Sequence, residues 1–187
     1  MKLVLGSKSP RRREILGMVA ENFEVRVSDC DESYGSDTPL NTVPKILAER
    51  KALAIPMAKD EIIIGCDTVV IYGGELMGKP SDKADAVRML KKLSGTTHEV
   101  ISGICVRTEG KIYSEAVTTH VTFRDLTEGE IYGYVEKYNP VDKAGAYGIQ
   151  EAAGAFVEKI DGDFYNVVGL PLCRLCEILK KEFNTVI

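Results

Sequence analysis

The stretch Ile62-Ile63-Ile64-Gly65-Cys66-Asp67-Thr68-Val69-Val70-Ile71-Tyr72-Gly73-Gly74 sets the fold class. Three consecutive isoleucines leave no polar face, the pattern of a strand covered on both sides at the centre of a sheet. The strand is expected to end at Gly65-Cys66-Asp67-Thr68, to continue through 69–72, and to fold back at Gly73-Gly74. Asp67 would then lie at the end of a central strand, where α/β sheets bind ligands. A carboxylate there can hold a metal or activate a water. It can equally be a turn aspartate bonded to Thr68.

Outward from this strand, Leu3-Val4-Leu5 reads as a second buried strand. Phe23, Val25 and Val27 alternate with Glu24 and Arg26 and give a third. Helices are expected over 11–19, 43–57 (interrupted by Pro56), 81–94, 127–138 and 172–183. In 81–94, Ser81 or Asp82 can cap, Ala86, Val87, Leu90 and Leu93 form the inner face, and Gly95 is the stop. Further strands are expected over 99–106, 111–114, 116–123 and 156–160. Strands alternate with helices but several are joined by tight turns, so the fold class is α/β with a mixed sheet. With no repeats and no linker, 1–187 reads as one domain.

Hydrophobic residues make up 44% of the chain and charged ones 28%, with a net charge of -4, which disfavours a nucleic-acid partner. The five cysteines are odd in number and irregular in spacing, which argues against a disulfide framework and for a reducing compartment. Met1 to Gly6 is too short an apolar start for a signal peptide, and no run reaches membrane-spanning length. These features predict a cytoplasmic protein with no membrane partner. Neither a Walker A pattern nor a Gly-x-Gly-x-x-Gly fingerprint is present.

Four segments carry chemistry. In Ser7-Lys8-Ser9-Pro10-Arg11-Arg12-Arg13, Ser9 is a candidate N-cap and Pro10 a first helical residue. Arginines in a first helical turn oppose the helix dipole unless an anion sits between them. Free N–H groups, serine hydroxyls and guanidinium forks together suit a phosphate, although Arg13 can simply face solvent. Asp67 is the second candidate. Lys51 and Lys79 are the third; Lys79 has its backbone fixed between Gly78 and Pro80. The fourth is Asp142-Lys143-Ala144-Gly145-Ala146-Tyr147-Gly148-Ile149-Gln150, where glycines permit close backbone approach and Tyr147 and Gln150 could stack on and hydrogen-bond a base. Cys173 and Cys176 share a helical face with Leu172, Leu175 and Leu179 and are expected to pack in the core. Two histidines cannot build a histidine-rich zinc site, so any metal would take oxygen ligands, as Mg²⁺ or Mn²⁺ does.

These segments, with Leu93-Ser94-Gly95-Thr96-Thr97-His98 and Asn166-Val167-Val168-Gly169-Leu170-Pro171-Leu172, resemble in order and over nearly the whole chain the Maf family of nucleoside triphosphate pyrophosphatases. The resemblance implies an elongated, mixed, strongly curved sheet with a cleft between two lobes, a homodimer, and hydrolysis of a triphosphate to monophosphate and pyrophosphate with Mg²⁺ or Mn²⁺. It implies a cleft lined by Ser7, Arg11, Arg12, Glu32, Lys51, Asp67, Lys79 and Gln150, to which the reading of the serine–arginine turn adds Ser9 as a substrate-binding hydroxyl. Asp67 would be the base, Glu32 and Asp67 the metal ligands, and Arg11, Thr68 and Gln150 the residues tied to substrate choice. The 142–150 segment resembles the branch acting on dTTP and UTP in a house-cleaning role. A binder regulating septum formation, or a preference for 7-methyl-GTP or inosine triphosphate, are the alternatives. Gly6, Cys66 and Asn139 depart from the family's usual alanine, alanine and glutamate.

Overall fold

The computed structural model describes residues 1–27 and 29–185. Seven strands form one mixed sheet: β1 (Lys2–Gly6), β2 (Phe23–Val25), β3 (Glu61–Tyr72), β4 (Glu75–Met77), β5 (Thr97–Arg107), β6 (Ile112–Phe123) and β7 (Val157–Asp161). The order is β2-β1-β3-β5-β6-β7, with β4 paired to the outer part of β3. β1 runs parallel to β2 and β3, and all other pairings are antiparallel. The helices are α1 (Pro10–Gly17), α2 (Val43–Leu53), α3 (Lys83–Leu93), α4 (Glu128–Tyr138), α5 (Phe164–Val168) and α6 (Leu172–Phe183).

β3 is the spine of the molecule, and it corrects the expected break near Asp67. It runs unbroken for 12 residues, and Asp67 lies inside it. What ends nearby is the neighbour: β1 leaves the sheet at the pair Gly6–Gly65. Antiparallel pairing to β5 continues past Asp67 to Ile71. Asp67 therefore sits where the sheet loses a strand on one side, which opens space without ending β3. The two strands expected within 111–123 are likewise one, β6, and the second long helix stops at Leu53, before Pro56.

Alternation along β3 sorts its side chains onto two faces. Ile62, Ile64 and Cys66 join Leu3, Leu5, Leu16, Leu175 and Leu179 in a core under α1 and α6. Ile63 faces the other way, toward Ala48, Ala52 and Ile55 of the α2 segment. A second large core gathers Val70, α3, Phe123, Tyr134 and Phe156. Asp67 has the parity of Ile63 and faces α2; Thr68 has that of Cys66 and faces α1. The helix α2 lies unusually close to the sheet because two glycines let it. A Cβ on Gly65 would meet Ala48 O at 2.3 Å, and one on Gly103 would meet Pro44 O at 2.0 Å.

Candidate active site

A cleft of about 800 Å³ opens beside the point where β1 stops. Residues from the β1–α1 turn, the acidic loop after β2, α2, β3, the segment after β4, the 142–150 loop and 167–169 all line it. Ser7, Ser9, Arg11, Arg12, Glu32, Lys51, Asp67, Thr68, Lys79 and Gln150, the residues singled out from sequence, all fall on its lining.

Its floor is an ion-paired centre. Lys51 Nζ lies 2.5 Å from Asp67 Oδ1 and 3.1 Å from Glu32 Oε1. Asp67 is buried while Glu32 is mostly exposed. Burial opposes the charge on Lys51, but the Coulombic pull of Asp67 and the hydrogen bonds that Lys51 donates to Asp67 and Glu32 outweigh it and raise its pKa above the usual lysine value. The register makes this contact possible: Asp67 pairs with Gly103, the residue that admits α2 to the sheet.

The β1–α1 turn forms one wall. Ser9 has extended backbone, its hydroxyl accepts from Arg12 N, and Pro10 opens α1. Arg11 Nη1 reaches across to Asp142 Oδ2 at 3.4 Å. Arg12 turns inward and is almost fully engaged by protein acceptors. Its Nε donates to Gly169 O at 2.8 Å, Nη1 to Cys66 O at 2.8 Å and Ser7 Oγ at 3.2 Å, and Nη2 to Thr68 Oγ1 at 3.0 Å. Arg13 is exposed and outside the cleft. The arginine turn thus divides into one residue at the mouth, one knitting the wall together, and one in solvent.

The opposite wall is 142–150. Gln150 and Lys79 are exposed on the rim, and neither has a hydrogen-bond or ion-pair partner among the described residues. Tyr147 does not offer its ring for stacking. It is buried, its hydroxyl is 2.7 Å from His98 Nε2, and its ring meets His98 and Phe123 edge-on. Burial lowers the His98 pKa to about 4, so the pair is neutral near pH 7. Lys143 is a site residue that sequence reading passed over: its buried ammonium lies 2.9 Å from Asp142 and 3.4 Å from Glu151. Its signal was Gly148, whose missing Cβ leaves room for the lysine chain at 3.0 Å. Ser102 and Asn166, both fully buried behind Thr68, were also missed.

Cys66 Sγ contacts Gly169 O at 3.2 Å, and complete burial pushes its thiol pKa up, so it is a neutral packing group beside Asp67. Cys173, expected in the core, is exposed, and Cys176 is only partly covered. The apolar face of α6 is carried by Leu172, Leu175, Ile178 and Leu179 instead.

A mixed α/β sheet, with a cationic cleft over a lysine–carboxylate centre, defines a protein built to receive a polyanion. The chain matches the Maf-like protein family over residues 2–182 and belongs to that family. It is 45% identical over 183 residues to a dTTP/UTP pyrophosphatase of Clostridium novyi (strain NT), covering 95% of this chain and 96% of that protein. It is 46% identical over 187 residues to one of Alkaliphilus metalliredigens (strain QYMF), with 98% and 97% covered, and 45% identical over 184 residues to one of Bacillus anthracis, with 98% and 96% covered.

Proposed function

We propose that this chain is a nucleoside triphosphate pyrophosphatase that cleaves dTTP and UTP between the α and β phosphates, releasing the monophosphate and pyrophosphate. The observation that carries the reading is Lys51 held between Asp67 and Glu32 on the floor of a cleft otherwise rich in cations. The similarity to dTTP/UTP pyrophosphatases over nearly the full chain supports it.

Arg11, Lys79 and Lys51 would meet the triphosphate, together with the N–H groups at the start of α1. A phosphate oxygen can take over the Lys51 ammonium from Asp67 Oδ1. That oxygen is then free to accept a proton from the water attacking phosphorus, with pyrophosphate leaving. Asp67 is thus the proposed base.

The residues also suit a divalent cation. Among the described residues no cluster of three or more His, Cys, Asp or Glu is assembled. What the protein offers is two hard carboxylates, Glu32 and Asp67, converging on one cationic point. That fits Mg²⁺ or Mn²⁺, which take oxygen donors, and Mg²⁺ is typically bound by one or two carboxylates with the substrate's phosphates completing the shell. Bound there, the ion would neutralise phosphate charge and lower the pKa of a water.

The sheet and its helices run through the whole chain, and we take 1–187 as one domain that works as a homodimer in the cytoplasm. No described helix is long and apolar enough to cross a membrane. The test is pyrophosphate release with Mg²⁺ or Mn²⁺ across dTTP, UTP, CTP, the purine triphosphates, inosine triphosphate and 7-methyl-GTP. Turnover led by dTTP and UTP is expected; nucleotide binding without pyrophosphate release from any of them would make the protein a binder.

A further inference from the structure

We propose that Lys143 is a positioning residue that neutralises Asp142 on the cleft wall, so that Arg11 can exchange Asp142 for a phosphate oxygen of the incoming nucleotide. The inference rests on the pyrophosphatase reading above and says how a polyanion is admitted past a carboxylate.

Asp142 lines the cleft with its side chain 60% exposed. A carboxylate there repels a triphosphate and competes with it for cations. Its two oxygens have different partners. Oδ2 accepts from Arg11 Nη1 at 3.4 Å, and Oδ1 accepts from Lys143 Nζ at 2.9 Å. The lysine contact is the shorter, so Lys143 is the firmer counter-ion. Partial burial works against the charge on Asp142. The hydrogen bond and charge of Lys143, then the bond from Arg11, outweigh it and hold its carboxyl below the usual aspartate range. Asp142 is therefore ionised at neutral pH.

Lys143 is anchored where Arg11 is not. Its side chain is only 10% exposed, and its Nζ is also 3.4 Å from Glu151 Oε2. One ammonium thus ties together residues at both ends of the 142–150 wall. Its backbone is held too: Lys143 N donates to Pro140 O at 3.2 Å, and Lys143 O accepts from Ala146 N at 3.1 Å. Gly148 makes the room. A Cβ there would lie 3.0 Å from Lys143 Cε and 3.2 Å from Glu151 Cδ. Shielded from solvent, this pairing is screened less than one at the mouth.

The charges then sort into a fixed cation and a movable one. When Arg11 leaves for phosphate, Asp142 still has Lys143 beside it. Without that ammonium, Arg11 would be the only cation paired with Asp142 among the described residues. Its departure would set a bare carboxylate against the triphosphate. Lys143 so acts on the nucleotide through Asp142 and Arg11. The Lys51–Asp67 floor is a separate group of contacts, so binding should change and the chemical step should not.

The experiment measures KM and kcat for UTP with Mg²⁺ on wild type, Lys143→Met, Asp142→Asn and the double variant, with a thermal melt of each. Methionine keeps the chain length of lysine and removes the charge. Lys143→Met should raise KM about fivefold or more, the scale of one hydrogen bond, with kcat within about twofold of wild type. Adding Asp142→Asn should bring KM most of the way back, because the charge that needed neutralising is gone. A purely structural lysine would give a double variant no better than Lys143→Met, and that result overturns the proposal. So does an unchanged KM in Lys143→Met, or a kcat that falls as steeply as KM rises. Asp142→Asn, made on an exposed side chain, tests the idea even if Lys143→Met does not fold. Its KM should be at or below the wild-type value, and a raised KM would make Asp142 a substrate or metal ligand and overturn the proposal. Calorimetry with a UTP analogue carrying a methylene between the α and β phosphates repeats the comparison without turnover. A wild type that binds the analogue but hydrolyses no triphosphate would remove the pyrophosphatase reading, while the order of affinities among the variants still decides this inference.

Discussion

Arg12 and Asp67 show how single side chains divide their duties here. Asp67 is buried against a lysine and shielded from solvent, so its carboxylate is oriented before any substrate arrives. Asp67→Asn keeps the shape and removes the basicity; kcat for UTP should fall by ~10²–10⁴ while nucleotide affinity by calorimetry persists. Comparable kcat in the two proteins would take Asp67 out of the base role. Arg12 was legible as a phosphate group from its place in the first helical turn, but its actual partners are main-chain oxygens of Cys66 and Gly169. Sequence cannot disclose those, because they come from segments 54 and 157 residues away. The consequence is that Arg12→Ala should do two things. It should weaken triphosphate binding, and it should lower stability by about 1.5–3 kcal/mol, the worth of a charge-assisted hydrogen bond. A variant that melts like wild type would mean the carbonyl contacts carry no stability. Tyr147 teaches the reverse: its glycine-rich surroundings suggested a free ring, but His98 and Phe123, remote in sequence, take it into the core.

Between elements, the decisive contact is α2 lying on β3 and β5. It depends on absent side chains, which periodicity does not register. Gly103→Ala would drive a methyl into Pro44 O, which is backbone and cannot swing aside. A cost of about 1–3 kcal/mol or more is expected, with kcat falling too, because the displaced helix carries Lys51. Gly133→Ala in α4 is the contrast: nothing lies within 4 Å, and a gain of about 0.5–1 kcal/mol is expected from helix propensity. Equal melting temperatures for the two variants would refute the packing argument. The base of β3 is fastened differently. Arg26 donates to both oxygens of Glu61 at 2.9 Å, and Ala58 N adds a third bond. The Arg26 guanidinium, then the Ala58 N–H, hold the Glu61 pKa down at about 2, against 4.5 for an ordinary glutamate. The unfolded chain therefore takes up a proton first as pH falls. The stabilisation is complete above about 4.5 and is lost between there and about 2. Melting temperatures of wild type and Glu61→Gln should converge across that window; parallel curves would mean the ion pair contributes nothing. Legible in advance were the strand cores, the N-caps Ser9 and Asp82, and α6 to the residue. Strand order was not, since alternation of elements does not say which strands become neighbours.

At the scale of the whole molecule, the cleft joins parts that otherwise have separate cores. α1 and the inner half of β3 pack under α6, while the outer half of β3 packs with α3 and α4. The 142–150 segment belongs to the second core through Ala146, Tyr147 and Ile149. Arg11 and Asp142 already bridge the two sides at 3.4 Å, but both are partly exposed and such a pair is weak in water. A triphosphate held at once by Arg11, Lys51 and Lys79 would be a far stronger tie. Because it binds only the folded chain, it must raise stability by mass action, about 2.7 kcal/mol at a hundredfold excess over Kd. The net charge of -4 gives no long-range attraction, so the tie depends on local cations. A UTP analogue with a methylene between the α and β phosphates should therefore raise the melting temperature in proportion to the logarithm of its concentration, with Mg²⁺ present. Raising salt should reduce the shift, since the contacts at the mouth are solvent-exposed and screened. Arg11→Ala should reduce it as well, without changing the melt of the unliganded protein by more than a surface pair is worth. A melting temperature indifferent to the analogue at every concentration would mean that the cleft does not close on a triphosphate across the two cores.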